Sequence, residues 1–300
     1  MELRVLRYFL AVAQEGNITS AARLLHITQP TLSRQIRDLE EELGHPLFER
    51  NSHSITLTAE GLLLRKRAEE ILNLVRKTED ELAQTDSALA GEVYVGAGET
   101  TGAHLLTRAA RRLRDRWPDV HFHMFSGDSA DVCEQLDKGL LDFGLLFGPV
   151  DEKKYHSLLL PHRDVWGVLL RRDHPLAQKA SVCPEDLVSQ PLIVSRQTLR
   201  RPFFPAWFGR DAESLNIVGT YNLVFNGSLM VEDGMGCAFS LAGLVNVSSP
   251  SSLCFRPLEP QVDARMYLVW KRHQVFSKAA GKYLEILLSS EALSAEQSPE

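Results

Sequence analysis

The hydrophobic pattern of this chain changes period near Ala90-Gly91, and that change constrains the fold more than any other feature. Before it, apolar residues recur at helical spacing. Leu3, Leu6, Phe9, Leu10 and Ala13 mark a first helix, which Gly16-Asn17 breaks. After it, short apolar runs alternate with helical stretches, the pattern of βαβ units and a parallel sheet. A length of 300 residues also suits about two domains.

The N-terminal part predicts two more helices. Thr19 or Ser20 can cap a helix ending at Leu25, with Ala21, Ala22 and Leu25 inward. Thr28 can cap a third helix that tolerates Pro30 in its first turn and stops at Gly44. Ile36, Leu39 and Leu43 carry its apolar face. Two β-like runs, Leu47-Phe48-Glu49-Arg50 and Ile55-Thr56-Leu57, flank the polar turn Asn51-Ser52-His53-Ser54 and read as a hairpin or wing. Residues 1–58 are therefore expected to form a mainly α winged helix-turn-helix.

The net charge is -6, so any nucleic-acid-binding face must be local. The third helix offers one. Gln29, Thr31, Ser33, Arg34 and Arg37 are polar or basic, and no acid occurs between Glu15 and Asp38. The acidic cluster Asp38, Glu40, Glu41 and Glu42 lies at the far end. Gln can pair with adenine, and Arg with guanine or phosphate. On charge alone, a solvated helix face fits these residues equally well.

A long helix follows, expected over 59–89. Leu64, Ala68, Ile71, Val75, Thr78 and Leu82 are spaced 4, 3, 4, 3, 4, as in a heptad seam with charged flanks. One apolar stripe needs a cover. It is either the chain's own globular body or a second copy, and the sustained alternation favours the copy. Leu64, Ala68, Ile71, Val75 and Leu82 are thus the candidate dimerisation residues.

Residues 90–300 carry two successive βα sets, read as two lobes: about 90–161 with 266–300, and about 162–265. The strands expected are Glu92–Val95, Val120–Phe125, Phe143–Phe147, Val165–Leu170, Leu192–Ser195, one near Ile217, Cys237–Ser240 and Met266–Trp270. Gly96-Ala97-Gly98-Glu99-Thr100-Thr101-Gly102 follows a strand and precedes a helix. Its spacing is not that of a dinucleotide fingerprint, and Glu99 stands where a pyrophosphate would sit. No metalloprotease, Walker or nucleophile-elbow motif occurs, so no enzyme activity, cofactor or metal is expected. His121 and His123 share a strand face but lack further ligands. Cys133, Cys183, Cys237 and Cys254 show no metal spacing. With no signal peptide or membrane-length apolar run, a cytoplasmic location is expected.

Two helix starts stand out. Thr100-Thr101 and Ser129 precede helices at the carboxyl ends of strands, where parallel-sheet ligands bind. Free N–H groups there suit a carboxylate or phosphate. Simple capping explains the same residues.

The segment Ala21-Ala22-x-Leu24-Leu25, Gln29-Pro30-Thr31-Leu32-Ser33-Arg34-Gln35-Ile36, Leu39-Glu40, Leu43-Gly44-x-x-Leu47-Phe48-x-Arg50 and Leu57-Thr58-x-x-Gly61 resembles the DNA-binding segment of LysR-type transcriptional regulators. The resemblance extends more thinly over the whole chain, including Val231-Glu232-x-Gly234-x-Gly236. It implies a winged helix-turn-helix, a long linker helix and a two-lobed, periplasmic-binding-protein-like α/β effector domain. It also implies promoter DNA, a small-molecule inducer and self-association as dimer or tetramer.

Carried over by position, the resemblance puts Thr28, Gln29, Pro30, Thr31, Ser33, Arg34 and Arg37 at the major groove and Arg50 at the wing. It places Thr100 and Ser129 at an inducer cleft between the lobes, with Thr101, Phe147, Gly148, Ser195, Phe203 and Asn226 as further candidates around that cleft. Members often have a basic wing tip. Asn51-Ser52-His53-Ser54 departs from that, which implies weaker phosphate contacts.

Overall fold

The structure is a computed structural model that describes residues 1–50, 55–83 and 89–289; the expected wing tip, 51–54, lies outside them. The chain divides into two compact units, Met1–Ala83 and Gln84–Glu300.

The first unit contains α1 (Leu3–Glu15), α2 (Ile18–Leu24), α3 (Gln29–Leu43), β1 (Phe48–Arg50), β2 (Ile55–Leu57) and α4 (Ala59–Ala83). Its core joins Leu6, Phe9, Ala21, Ala22, Leu32, Ile36 and Leu39, inward positions of the three helices, with Phe48 of β1. Gly16 and Gly44 end α1 and α3 at φ 60° and 72°, a left-handed turn that glycine makes without Cβ strain. The cap of α2 is Asn17 rather than Thr19 or Ser20. Its side-chain oxygen accepts from the Thr19 and Ser20 N–H groups at 2.8 and 3.1 Å. Strands β1 and β2 pair antiparallel, Phe48 opposite Leu57 and Arg50 opposite Ile55.

The second unit begins with β3 (Gly91–Ala97), α5 (Ala103–Arg116), β4 (Val120–Ser126), α6 (Ser129–Asp137) and β5 (Phe143–Phe147). Strand β6 (Tyr155–Arg171) crosses to the second lobe. There lie α7 (Pro184–Leu187), β7 (Leu192–Ser195), α8 (Arg196–Leu199), α9 (Phe203–Phe208), β8 (Ile217–Tyr221), α10 (Val224–Glu232), β9 (Cys237–Leu241) and β10 (Leu253–Pro257). Strand β11 (Asp263–Lys271) leads back to α11 (Lys278–Ser289).

The sheet order is β4-β3-β5-β11-β6-β9-β7-β8, with β10 on β6. Each lobe has a parallel set: β4, β3 and β5 in the first, β8, β7 and β9 in the second. The parallel expectation fails at the spine between them. There β11 runs antiparallel to β5 and β6, and β6 runs antiparallel to β9 and β10. Strand β6 is 17 residues long, starting well before the expected Val165. Its first half carries His156, Ser157, Pro161, His162 and Arg163, which break any apolar run; pairing with β11 makes it a strand. Strand β10 was likewise not expected.

The two spine strands serve both cores. Leu160, Met266 and Leu268 pack in the first lobe with Phe143, Leu106 and Tyr283. Trp166, Val168, Leu170 and Ala264 pack in the second with Phe204 and Phe239. The crossing therefore falls at residues 160–166 and 264–266. Among the described residues no helix is long and apolar enough to span a membrane.

Candidate DNA-reading helix and effector cleft

Helix α3 has two unlike faces. Leu32, Ile36 and Leu39 are buried against α1 and α2. Thr28, Gln29, Pro30, Thr31, Arg34 and Arg37 are exposed, and Ser33 is half-buried. Thr28 stands at the cap position, but its hydroxyl bonds the Thr31 hydroxyl at 2.8 Å and no backbone N–H. Arg34 keeps 82% of its side-chain surface exposed and lies 3.8 Å from Asp38, too open for a strong ion pair, so it is available to a partner. Glu40 belongs to the acidic cluster at the far end of α3. Its carboxylate accepts from the Leu47 N–H at 2.8 Å and the Phe48 N–H at 3.2 Å, fixing β1 to the end of α3. Arg50 sits at the end of β1.

Helix α4 corrects the expected seam at Ala68. Ala68 is fully buried within its own unit, and Leu64 and Ile71 pack on the same core. Val75 is half-buried, and the Leu82 side chain lies outside the described ones. A spacing of threes and fours reveals an apolar stripe but not its cover, and the core of the first unit takes Leu64, Ala68 and Ile71 of it. Other apolar residues of α4 are open: Leu62, Leu63 and Leu74 are 58%, 60% and 44% exposed.

Between the lobes of the second unit lies a narrow cleft lined by residues of both lobes. Gly98, Glu99 and Asp128 line it from the first lobe, with Phe147 at the end of β5. Trp166, Ser195, Gln197, Arg201, Tyr221 and Val224 line it from the second. Three ties cross it. The Glu99 carboxylate accepts from the Val224 N–H at the start of α10. Arg201 donates to the Phe147 carbonyl at 3.0 Å and to the Gly148 carbonyl, with its guanidinium 5.6 Å from the Phe147 ring centre. Gln197 donates to the Ser129 hydroxyl at 2.6 Å.

Burial pushes the Glu99 carboxyl above the usual carboxylate range, against the pull of the Val224 and Phe225 N–H groups. Burial alone pulls the Arg201 guanidinium below its ordinary value.

The expected effector residues divide. Phe147 and Ser195 line the cavity, and Ser195 also caps α8 through the Thr198 N–H at 3.0 Å. Ser129 and Phe203 line an adjoining recess beside Pro149 and Arg200. Thr100 and Thr101 turn away. Both hydroxyls donate to Asp164, which is buried on β6, and Thr101 also bonds His162 at 2.9 Å. The β6 crossing brings that carboxylate beneath the helix start, which no local pattern reveals. Asn226 is exposed on α10, outside the cavity lining. Glu99, Gln197 and Arg201 were not singled out as cleft residues; only their placement at strand ends and in the α8–α9 turn shows them.

Among the described residues no group of three or more His, Cys, Asp or Glu side chains is placed to hold a metal. His121 and His123 both face Glu92 on the exposed side of β4. The family model for the bacterial regulatory helix-turn-helix protein, lysR family, matches residues 3–62, and that for the LysR substrate binding domain matches residues 86–292. The chain belongs to the LysR family of transcriptional regulators. This LysR-type regulator is 31% identical over 92% of its length to the Hca operon transcriptional activator HcaR of Escherichia coli, covering 93% of that protein. It is 28% identical to the HTH-type transcriptional regulator YvbU of Bacillus subtilis over 95% of this chain and 97% of that one. Its fold is similar to that of full-length CbnR complexed with its target DNA, at a TM-score of 0.74 and 20% identity over 96% of this chain and 99% of that one. LysR-type regulators couple a DNA-binding helix-turn-helix to an effector-binding domain, and this one is a regulator rather than an enzyme.

Proposed function

We propose that this LysR-type regulator reads a two-fold symmetric promoter site through α3, as an assembly of paired copies in the cytoplasm, and that a small molecule between its lobes sets the assembly's geometry. One observation carries the DNA reading: exposed Gln29, Thr31, Arg34 and Arg37 lie opposite the buried Leu32, Ile36 and Leu39. Gln29, Thr31 and Arg34 then face base edges and phosphates, while Arg37 adds a phosphate contact. The solved CbnR structure holds a target DNA, which supports the same use of this fold here. Open Leu63 and Leu74 on α4, eleven residues apart and so on one helix face, supply an apolar strip for a second copy.

The effector acts by population shift: it binds one arrangement of the lobes better than another and biases the assembly. Footprinting on the intergenic region upstream of the gene, with wild type and Arg34→Ala, tests the DNA reading. Wild-type protection of a two-fold symmetric site that Arg34→Ala loses supports it. Equal weak binding to any DNA by both proteins rejects it.

A further inference from the structure

Of the two helix starts expected to receive an anionic group, the chain fills that of α6 with its own carboxylate, and it fills the start of α10 in the same way. Asp128 caps α6, accepting from the Ala130 and Asp131 N–H groups at 2.9 and 3.1 Å. The N-cap of α10, Leu223, has no capping side chain, and Glu99 from the opposite lobe takes its place at the Val224 N–H. A purely anionic ligand would meet these carboxylates first.

Glu99 faces the cavity with no cationic partner at hydrogen-bond distance. Arg201 is the one cationic side chain of the cavity lining, and it too has no carboxylate partner. Its two bonds go to backbone carbonyls, leaving three of a guanidinium's five N–H groups for another acceptor. The first lobe thus brings the carboxylates of Glu99 and Asp128 to the cavity and the second lobe the Arg201 guanidinium, with Asp128 spent on capping α6, and Phe147, Trp166 and Tyr221 supply aromatic surface beside them.

We infer that the cleft takes a zwitterionic aminocarboxylate with an apolar or aromatic body, its ammonium on Glu99 and its carboxylate on Arg201. This rests on the effector reading of the cleft and names the ligand's class. Such a ligand compensates one charge on each lobe at once. The direction in which burial moves Glu99 and Arg201, each toward its neutral form, is that of charges lacking a counter-ion. A lone amine answers only Glu99, and a lone carboxylate only Arg201.

The test is calorimetric titration of the full chain, without DNA, by three molecules sharing one phenyl body: phenylalanine, phenethylamine and 3-phenylpropionate. The remaining standard amino acids follow. Wild type should bind phenylalanine or another apolar amino acid more tightly than its amine or its acid alone. Glu99→Gln keeps an acceptor for the Val224 N–H, so the fold stays intact. It should weaken amino acid and amine roughly 10- to 100-fold and leave the acid unchanged. Arg201→Gln should do the converse. Melting curves establish that both variants are folded.

Tighter binding of 3-phenylpropionate or of phenethylamine than of any amino acid overturns the inference. So does failure of every amino acid to bind at millimolar concentration, or an amino acid affinity that Glu99→Gln leaves unmoved. The promoter footprint is measured separately. A footprint without amino acid binding rejects the ligand class and leaves the DNA reading intact.

Discussion

The Glu99 carboxylate, at the end of β3, accepts a hydrogen bond from the backbone N–H of Val224, the first residue of α10 in the opposite lobe. Arg201 returns the tie, donating from the second lobe to the carbonyls of Phe147 and Gly148 in the first. Each lobe therefore ends some of its neighbour's backbone hydrogen bonding. Relative motion of the lobes must break charge-assisted bonds on both sides of the cavity.

Burial holds the Glu99 carboxyl above its usual range, so the folded state binds that proton more tightly than the unfolded chain does. Stability from this group is full below the ordinary carboxylate range and falls as pH rises through its raised value. Glu99→Gln keeps the acceptor without the charge. Its melting temperature at pH 7 should equal or exceed that of wild type, and the difference should shrink toward pH 4, as calorimetric scans across that range would reveal.

Asp164 is 3% exposed and accepts from both the Thr100 and Thr101 hydroxyls. Asp164→Ala leaves the Thr100 hydroxyl without its acceptor beneath α5 and leaves Thr101 with His162 alone. The effector domain should lose about 1–3 kcal/mol per orphaned group, read as a lower urea midpoint. Thr101→Val removes one donor with little change of shape and should cost less. Equal losses would place the energy elsewhere.

Arg34 contributes little to its own unit: its ion pair with Asp38 is long and open. Arg34→Ala should leave the unfolding midpoint within about 0.5 kcal/mol of wild type. Specific DNA affinity should fall by about 1–3 kcal/mol if the side chain reads a base. If it reaches a phosphate, binding should weaken on all sequences and the salt slope should drop by about one.

Helix α4 separates folding from assembly. Ala68 is fully buried in its own unit, so Ala68→Leu should overpack that core and cost about 1–3 kcal/mol. Leu74 is 44% exposed, so Leu74→Glu should leave the melting temperature nearly unchanged while lowering the mass seen by light scattering. A full-sized assembly for Leu74→Glu would move the interface off this strip.

Gly61 packs the start of α4 on Leu47, the residue just before β1. A Cβ there would lie 2.1 Å from the Leu47 carbonyl oxygen, a backbone atom that cannot step aside alone. Gly61→Ala should destabilise the first unit by more than 1 kcal/mol or so, as monitored by helical circular dichroism.

The sequence by itself determined the local elements and the two unlike faces of α3, because those depend on neighbours in the chain. Leu32, Ile36 and Leu39 point inward by spacing alone, and Gln29, Thr31 and Arg34 then point out. Phe143–Phe147 and Leu192–Ser195 are apolar runs that could only be strands of a covered sheet. Only the tertiary structure decided what covers each face. It buried Ala68 inside its own unit, where the heptad spacing suggested a second copy. It made a strand of Tyr155–Pro161 by pairing with β11, more than a hundred residues away. It drew Thr100 and Thr101 down to Asp164 and left the cleft to Glu99 and Arg201. Local spacing fixes direction along a helix or strand. Which charge meets which helix start depends on chain crossings, and those close only when both lobes have folded.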